Sequence, residues 1–275
     1  MIPLYQKTIA IMMLGFLIMV LGACDRLEFD GENFLSFEKE HPDYREIQFK
    51  KTEKPGDFKA DVVPKPMTVL QKKKRFKALL VPPVQKVYVE LDRRFQQVDF
   101  WLSEGTHAEE IAALKEEYKA ETDHDLLAAL KPHPPSIVIA QAAMESGWGT
   151  SRFFIKAKNV FGVWSFDDEE PRIAAGKQRD GDTIWVKKYN SIEDSVRDNY
   201  RVLARGFAHQ HFRDARLETN DPYKLVKKLD RYSEMGAKYG NELASVIRVN
   251  HFTDYDPIVK AKVETTATVE SAKKE

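Results

Sequence analysis

The sequence predicts a mainly α-helical domain with one small β-hairpin lobe, and three observations carry that reading. Val84, Val87, Leu91, Phe95, Val98 and Leu102 recur every three or four residues, with Arg93, Arg94 and Gln96 opposite, which is the stripe of an amphipathic helix. The segment from Ile137 to Ser146 is apolar on nearly every side and lies between Pro134-Pro135 and Gly147, so it reads as a buried helix with proline at its start and glycine at its end. Thr183–Tyr189 has the β-branched and aromatic content of a strand, and Arg179-Asp180-Gly181 just before it is a hairpin turn signal linking it back to Arg172–Lys177.

In chain order, the helical period begins at Val69 to Val81 and resumes after Pro82-Pro83, where the missing N–H groups predict that two helices meet. Ile111, Leu114 and Tyr118 mark a short helix, and Leu126 to Leu130 a further one that stops before Lys131-Pro132. After the central run, Thr150 or Ser151 caps a short helix through Ala157, and Asn159-Val160-Phe161-Gly162 is a turn. Beyond the hairpin, Ser191 with Asp194 forms a capping box for Ile192–Arg205, Asp221-Pro222 opens a helix through Leu229, and Asn241 opens one through Val249.

The ends are different in kind. Lys7 precedes an apolar run, Ile9 to Leu21, shorter than the ~20 residues of a spanning helix, and Gly22-Ala23 precede the single cysteine, Cys24. Residues 1–23 are thus expected to be a signal peptide. Leu21-Gly22-Ala23-Cys24 resembles a bacterial lipobox, which implies acylation of Cys24, a membrane attachment through lipid, and a location on the periplasmic face of the inner membrane, Asp25 being the following residue. Residues 24–66, with four prolines and no sustained period, read as a tether; 67–131 as an N-terminal helical region packed on the catalytic domain; 132–258 as that domain; and 259–275 as a disordered tail. Lys plus Arg and Asp plus Glu each total 43, so no excess positive charge points to nucleic acid. A lone cysteine excludes an intramolecular disulfide.

Glu145 is the one carboxylate on the central apolar helix, in its last turn, where the carbonyl end disfavours a second anion. Burial beside Trp148 and Phe161 would raise its pKa further, leaving a carboxylic acid able to donate a proton to a leaving oxygen. The plainer alternative is a glutamate solvated at a helix end. Trp148, Trp164, Tyr189 and Tyr232 offer flat faces for pyranose rings, and Asn159 can hydrogen-bond an acetamido group, while Trp185, on the alternating strand, is assigned to packing.

Ala142-Ala143-Met144-Glu145-Ser146-Gly147-Trp148-Gly149, followed by Asn159-Val160-Phe161-Gly162, resembles the peptidoglycan endo-β-N-acetylglucosaminidase family, the mannosyl-glycoprotein endo-β-N-acetylglucosaminidase-like domain. The resemblance runs from about Ile137 to Asn250. With Lys72–Phe95 and Arg248-Val249-Asn250-His251-Phe252 included, it is similar to the Bax-like branch. It implies a lysozyme-like α+β fold, a sugar groove beside the hairpin lobe, peptidoglycan strands as substrate, no cofactor, and Glu145 as general acid. Tyr232 matches the tyrosine that the family places near this glutamate, although Tyr232-Ser233-Glu234-Met235 departs from the usual Tyr-Ala-Thr-Asp.

A second carboxylate is needed by a retaining or an inverting glycosidase but not where the substrate acetamido group is the nucleophile. Asp167, Asp168, Glu169 and Glu170 cluster before the hairpin, and Glu170 is preferred because Pro171 restricts its backbone; the same run also reads as a solvated loop. His209-Gln210-His211, on a loop without an acidic partner, falls short of a metal site. Three functions follow: a glycosidase cleaving the β-1,4 bond after N-acetylglucosamine, a lytic transglycosylase distinguished by 1,6-anhydro product ends, and an inactive glycan-binding scaffold distinguished by lack of turnover.

Overall fold

The computed structural model describes residues 47–179 and 182–258. The expected signal peptide, Cys24, the first half of the expected tether, the hairpin turn Asp180-Gly181 and the expected tail lie outside the described residues.

The longest element is α1, Val69–Glu104, capped by Thr68 in a reciprocal capping box with Gln71 and ended by Gly105 in the left-handed region at φ 66°. It corrects the expectation of two helices, because Pro82 and Pro83 both lie inside it. A proline in a helix interior costs about 3 kcal/mol through its lost N–H and ring clash, while its φ still suits the helix. Phe76, Leu80 and Val81 before the prolines and Val84 and Val87 after them are all fully buried in one core. Each such side chain contributes roughly 1.5–3 kcal/mol, so continuous packing on both sides outweighs the break.

The far end of α1 packs with α2, Ala108–Tyr118, and α3, Asp123–Leu130, around Val98, Trp101, Ile111, Leu114, Leu126 and Leu130. The near end packs against α4, Pro135–Glu145, whose residues Pro135 through Ala143 are all buried. The short helix α5, Arg152–Ala157, follows, capped by Ser151. The hairpin pairs β1, Arg172–Arg179, antiparallel with β2, Asp182–Lys187, with Arg172 opposite Lys187, Arg179 opposite Asp182 and a register shift between Ala174 and Gln178. Next, α6, Ile192–Arg205, buries Val196, Tyr200 and Leu203 and carries the expected Ser191–Asp194 capping box.

The segment around His209 is helical rather than a loop. A 3-10 turn, Phe207–His209, leads into α7, Gln210–Glu218, which is polar along most of its length yet buries Phe212, Arg213 and Arg216. Its polarity hides it from a hydrophobic-period reading. Arg216 donates to the carbonyl oxygens of Ala128 at 2.9 Å and Ala129 at 3.5 Å, at the carbonyl end of α3, where a buried cation is electrostatically at home. After α8, Pro222–Leu225, and a 3-10 turn at Val226–Lys228, the last helix α9 spans Ala237–Val249 and starts four residues before the expected Asn241. Gly240 explains the packing there: a Cβ at this position would come within 2.4 Å of the Val226 carbonyl oxygen, so α9 presses directly on the backbone before it.

Residues 47–66 do not stand off the domain. Arg75, itself buried, donates to the carbonyl oxygens of Lys59, Ala60 and Val62, and Gln85 donates to that of Lys51. Phe49 bridges to Pro257, and the Ile258 N–H donates to Gln48 O at 2.6 Å. This corrects the tether boundary, since carbonyls of an unpatterned segment satisfy buried donors that the helix brings with it.

Pro134, before α4, has no side chain able to cap it, and the cap comes instead from the far end of the chain: Asp256 Oδ1 accepts from the Ser136 N–H at 2.7 Å. Removing this carboxylate by Asp256→Ala should lower the unfolding free energy by about 1–2 kcal/mol in a denaturant titration, and Asp256→Asn, which keeps an acceptor, should recover most of it.

Candidate active site

Glu145 is the last residue of α4, and its side chain is partly buried. The buried phenol of Tyr239, brought in by α9, donates to Glu145 Oε1 at 3.3 Å. Tyr232 stacks on the Tyr239 ring with centroids 5.1 Å apart and planes at 19°, and its hydroxyl donates to Asn199 Oδ1 on α6 at 3.4 Å. Burial pushes the Glu145 carboxyl up to about 7, against the opposing pull of the Tyr239 hydrogen bond. Near neutral pH this glutamate therefore holds a proton about half the time and can give it away.

The chain leaves α4 through an unusual turn. Gly147, Trp148 and Gly149 all have positive φ, at 57°, 63° and 71°, so the one tryptophan among them adopts a conformation that side chains with a Cβ rarely take. Ser146 holds the turn, its hydroxyl donating to Ala142 O and accepting from Gly149 N–H at 2.8 Å, while Arg75 donates to Gly149 O at 3.0 Å. The glycine at 149 is required twice, since a Cβ would also sit 3.3 Å from the Phe154 ring. Trp148 is fixed by edge contact with Phe76 at 5.3 Å and by Phe252 at 6.1 Å, and Lys73 Nζ lies 4.7 Å from its ring centroid. It thus lies beside Glu145 in sequence, with much of its ring already engaged by protein.

The other residues proposed from sequence divide sharply. Asn159 is not free to meet a sugar: it is buried, its amide donates to Val163 O and Lys187 O, each at 2.9 Å, and its oxygen accepts from Val163 N–H at 3.0 Å. It braces the turn after α5 against β2. Phe161 is likewise core, only 5% exposed, and offers no open face. Trp164 is partly buried, pairs through an isolated bridge with Val186, and has Phe166 at 6.2 Å. Trp185 departs from the packing role: it is 36% exposed, with the Arg172 guanidinium 4.7 Å from its ring centroid. The strand belongs to a hairpin in a two-stranded sheet, so nothing covers its outer side.

Tyr189 and Glu170 fall into one polar cluster separate from that of Glu145. The Tyr189 hydroxyl donates to Asp198 Oδ2 at 2.7 Å, and Lys187 Nζ lies 3.5 Å from Glu170 and 3.6 Å from Asp198. Burial, then the Asp198 charge, raises the Tyr189 phenol well above its usual range. Among the described residues no hydrogen bond or ion pair joins Glu170 to Glu145. His209 is buried beside Tyr232, ring centroids 6.0 Å apart, and burial with the Arg213 and Arg216 charges lowers its pKa to about 4. Among the described residues no group of three or more His, Cys, Asp or Glu is arranged to hold a metal ion.

Tyr239, the direct partner of Glu145, is absent from the sequence reading, which placed Tyr232 in that position. Tyr239 lies in the first turn of α9 and directly precedes the glycine at the close contact with Val226.

Residues 124–252 match the family described as mannosyl-glycoprotein endo-beta-N-acetylglucosaminidase. Exo-glucosaminidase LytG of Bacillus subtilis (strain 168) is 27% identical over 143 residues, which cover 45% of this chain and 46% of LytG. Protein bax of Escherichia coli (strain K12) is 28% identical over 123 residues, covering 42% and 43%. The chain thus spans less than half the length of each of these relatives. Among solved structures, the catalytic domain of the autolysin Auto from Listeria monocytogenes aligns at 22% identity with a TM-score of 0.38, over 52% of this chain and 87% of that one.

The brace at Asn159 has a direct test. Asn159→Ala should cost about 2–3 kcal/mol of stability in denaturant unfolding, because it takes from the Val163 N–H and the Lys187 carbonyl their Asn159 partner, while the Val163 carbonyl keeps only the Lys187 N–H. A residue held in reserve for a sugar would show no such loss.

Proposed function

We propose that this protein is a peptidoglycan hydrolase that cleaves the β-1,4 bond after N-acetylglucosamine, with Glu145 as proton donor. The observation that carries the reading is the Glu145–Tyr239 pair, a carboxyl at the end of a buried helix whose pKa is raised to about 7 and which has a phenol on one of its oxygens. The family match over residues 124–252 and the likeness to an exo-glucosaminidase support the substrate class.

In this reading Tyr239 occupies Oε1, so the transferable proton sits on Oε2 and passes to the glycosidic oxygen as the bond to the anomeric carbon breaks. Glu170, carried on the hairpin lobe and paired with Lys187, is our candidate for the base that activates water. Trp164 and Tyr189 on the same lobe, and Trp148 and Tyr232 on the helical side, are the ring faces we assign to the sugar. We further propose that Cys24 is acylated after removal of residues 1–23 and holds the enzyme on the periplasmic face of a bacterial inner membrane; this rests on Leu21-Gly22-Ala23-Cys24 and Asp25.

Glu145→Gln should retain the fold by circular dichroism and lose ~10²–10⁴-fold in turnover of purified murein, the contribution of a positioned general acid. On the alkaline side the protonated form of Glu145 is the active one, so wild-type kcat/KM should fall about tenfold per pH unit above the raised pKa of about 7. A glutamate at its ordinary pKa would place that fall near 4.3 instead. Mass spectrometry should find reducing N-acetylglucosamine ends and no 1,6-anhydro ends. For Glu170, alanine replacement should reduce turnover sharply, and added azide should restore it with inversion at the anomeric carbon; single-alanine variants of Asp167, Asp168 and Glu169 should stay near wild type.

A further inference from the structure

The chain is neutral overall, with 43 basic and 43 acidic residues, yet between positions 57 and 77 seven basic residues stand against two acids. Structure gathers this stretch at one end of the molecule. The first turn of α1 contains no acidic residue, although acids are usual there, and Val69 and Leu70 are 71% and 78% exposed. Arg75 holds the carbonyl of Val62, itself 54% exposed, beside the helix start. Lys73 Nζ, with no acidic partner among the described residues, donates to Asn250 Oδ1 at 2.7 Å; the preceding Val249 is 68% exposed. Lys65, Lys72 and Lys74 have no acidic partner among the described residues.

We infer that this end of the domain, Val62, Val69, Leu70 and Val249 with Lys65, Lys72 and Lys74, docks on the surface of an anionic lipid bilayer. The charge selects an anionic partner, and the four exposed aliphatic side chains select among anionic partners. A soluble polyanion has no use for them, whereas at a lipid surface they enter the headgroup region while the lysine stems reach phosphate. Val69 and Leu70, adjacent in the first turn of α1, are large aliphatic side chains left in water beside lysines that have no acidic partner among the described residues. The inference is independent of hydrolysis and of acylation at Cys24: it assigns the folded domain its own contact with the bilayer.

The test uses the full chain carrying Cys24→Ser, so that no acyl group contributes, mixed with vesicles of phosphatidylcholine alone or with about 30% phosphatidylglycerol, and followed by flotation. The leader residues enter every arm equally. Anionic vesicles should bind it more than about tenfold more tightly than neutral ones, with the difference shrinking as salt is raised. Lys72→Glu with Lys74→Glu should abolish that difference, at about fivefold or more per lysine. Val69→Ser with Leu70→Ser should weaken binding at least about fivefold while leaving the salt dependence. All these positions are exposed or at the helix start, and hydrolysis of soluble glycan chains by the variants should be unchanged, which separates this result from failure of the proposed activity. Equal binding to both vesicle types, or no effect of the lysine reversals, overturns the inference. Lysine dependence without any effect of the two serines overturns it as well, in favour of a soluble polyanion.

Discussion

Complete burial of one short helix is the constraint on which the rest of the structure depends. From Pro135 to Ala143 every residue of α4 is inside, so neighbours must surround it on all sides: α1, α9 and the turn Phe252–Tyr255. The alanines 140, 142 and 143 permit that close approach, and the prolines before it start the helix without a side-chain cap. A buried N-terminus cannot turn to water for its free N–H groups. Asp256, some 120 residues away, supplies the acceptor, and this ties the end of the domain to the start of its central helix. The segment before α1 closes the same arrangement, for the Tyr255 hydroxyl next to that aspartate donates to Glu53.

The polar residues proposed for the site fall into two clusters that do not share members. One holds Glu145, Tyr239, Tyr232 and Asn199, all from helical segments or the turns between them. The other holds Glu170, Lys187, Asp198 and Tyr189, and joins the hairpin to α6. Asn159 stands between the core and the hairpin, spending each of its amide groups on the backbone of Val163 and Lys187. The hairpin is therefore tied to the rest of the domain through specific hydrogen bonds.

What could be read from the sequence follows the physics of each signal. The central helix, the capping boxes at Thr122 and Ser191 and the pairing of β1 with β2 rest on local rules, and Ser191 and the strand pair were legible because nothing distant overrides them. Pro82-Pro83 misled because a local cost of a few kcal/mol was weighed without the buried residues on either side. Helix α7 escaped because its stabilisation comes from Arg213 and Arg216 reaching backbone carbonyls, a contact with no periodic signature. For the site, Glu145 was legible as an anion in an apolar run. Asn159 and Phe161 were not, because residues that organise a site and residues that touch its ligand look alike until their hydrogen bonds are known.

The origin of the raised Glu145 pKa joins these strands. The sequence argument leaned on the carbonyl end of α4 and on Trp148 and Phe161, whereas in the structure burial is the leading cause and the Tyr239 phenol opposes it. Burial of a carboxyl at a helix end is ordinarily self-defeating, since a chain that continues outward opens the end to water. Here it does not, because Gly147, Trp148 and Gly149 turn the chain sharply through positive φ, and Phe76, Phe252 and Arg75 hold that turn against the core. The strain of a tryptophan in the left-handed region, of order 1–3 kcal/mol, is thus borne by packing from α1. The same packing that overrides the prolines of α1 therefore fixes the turn that leaves Glu145 partly buried at the end of α4, with its pKa raised by that burial.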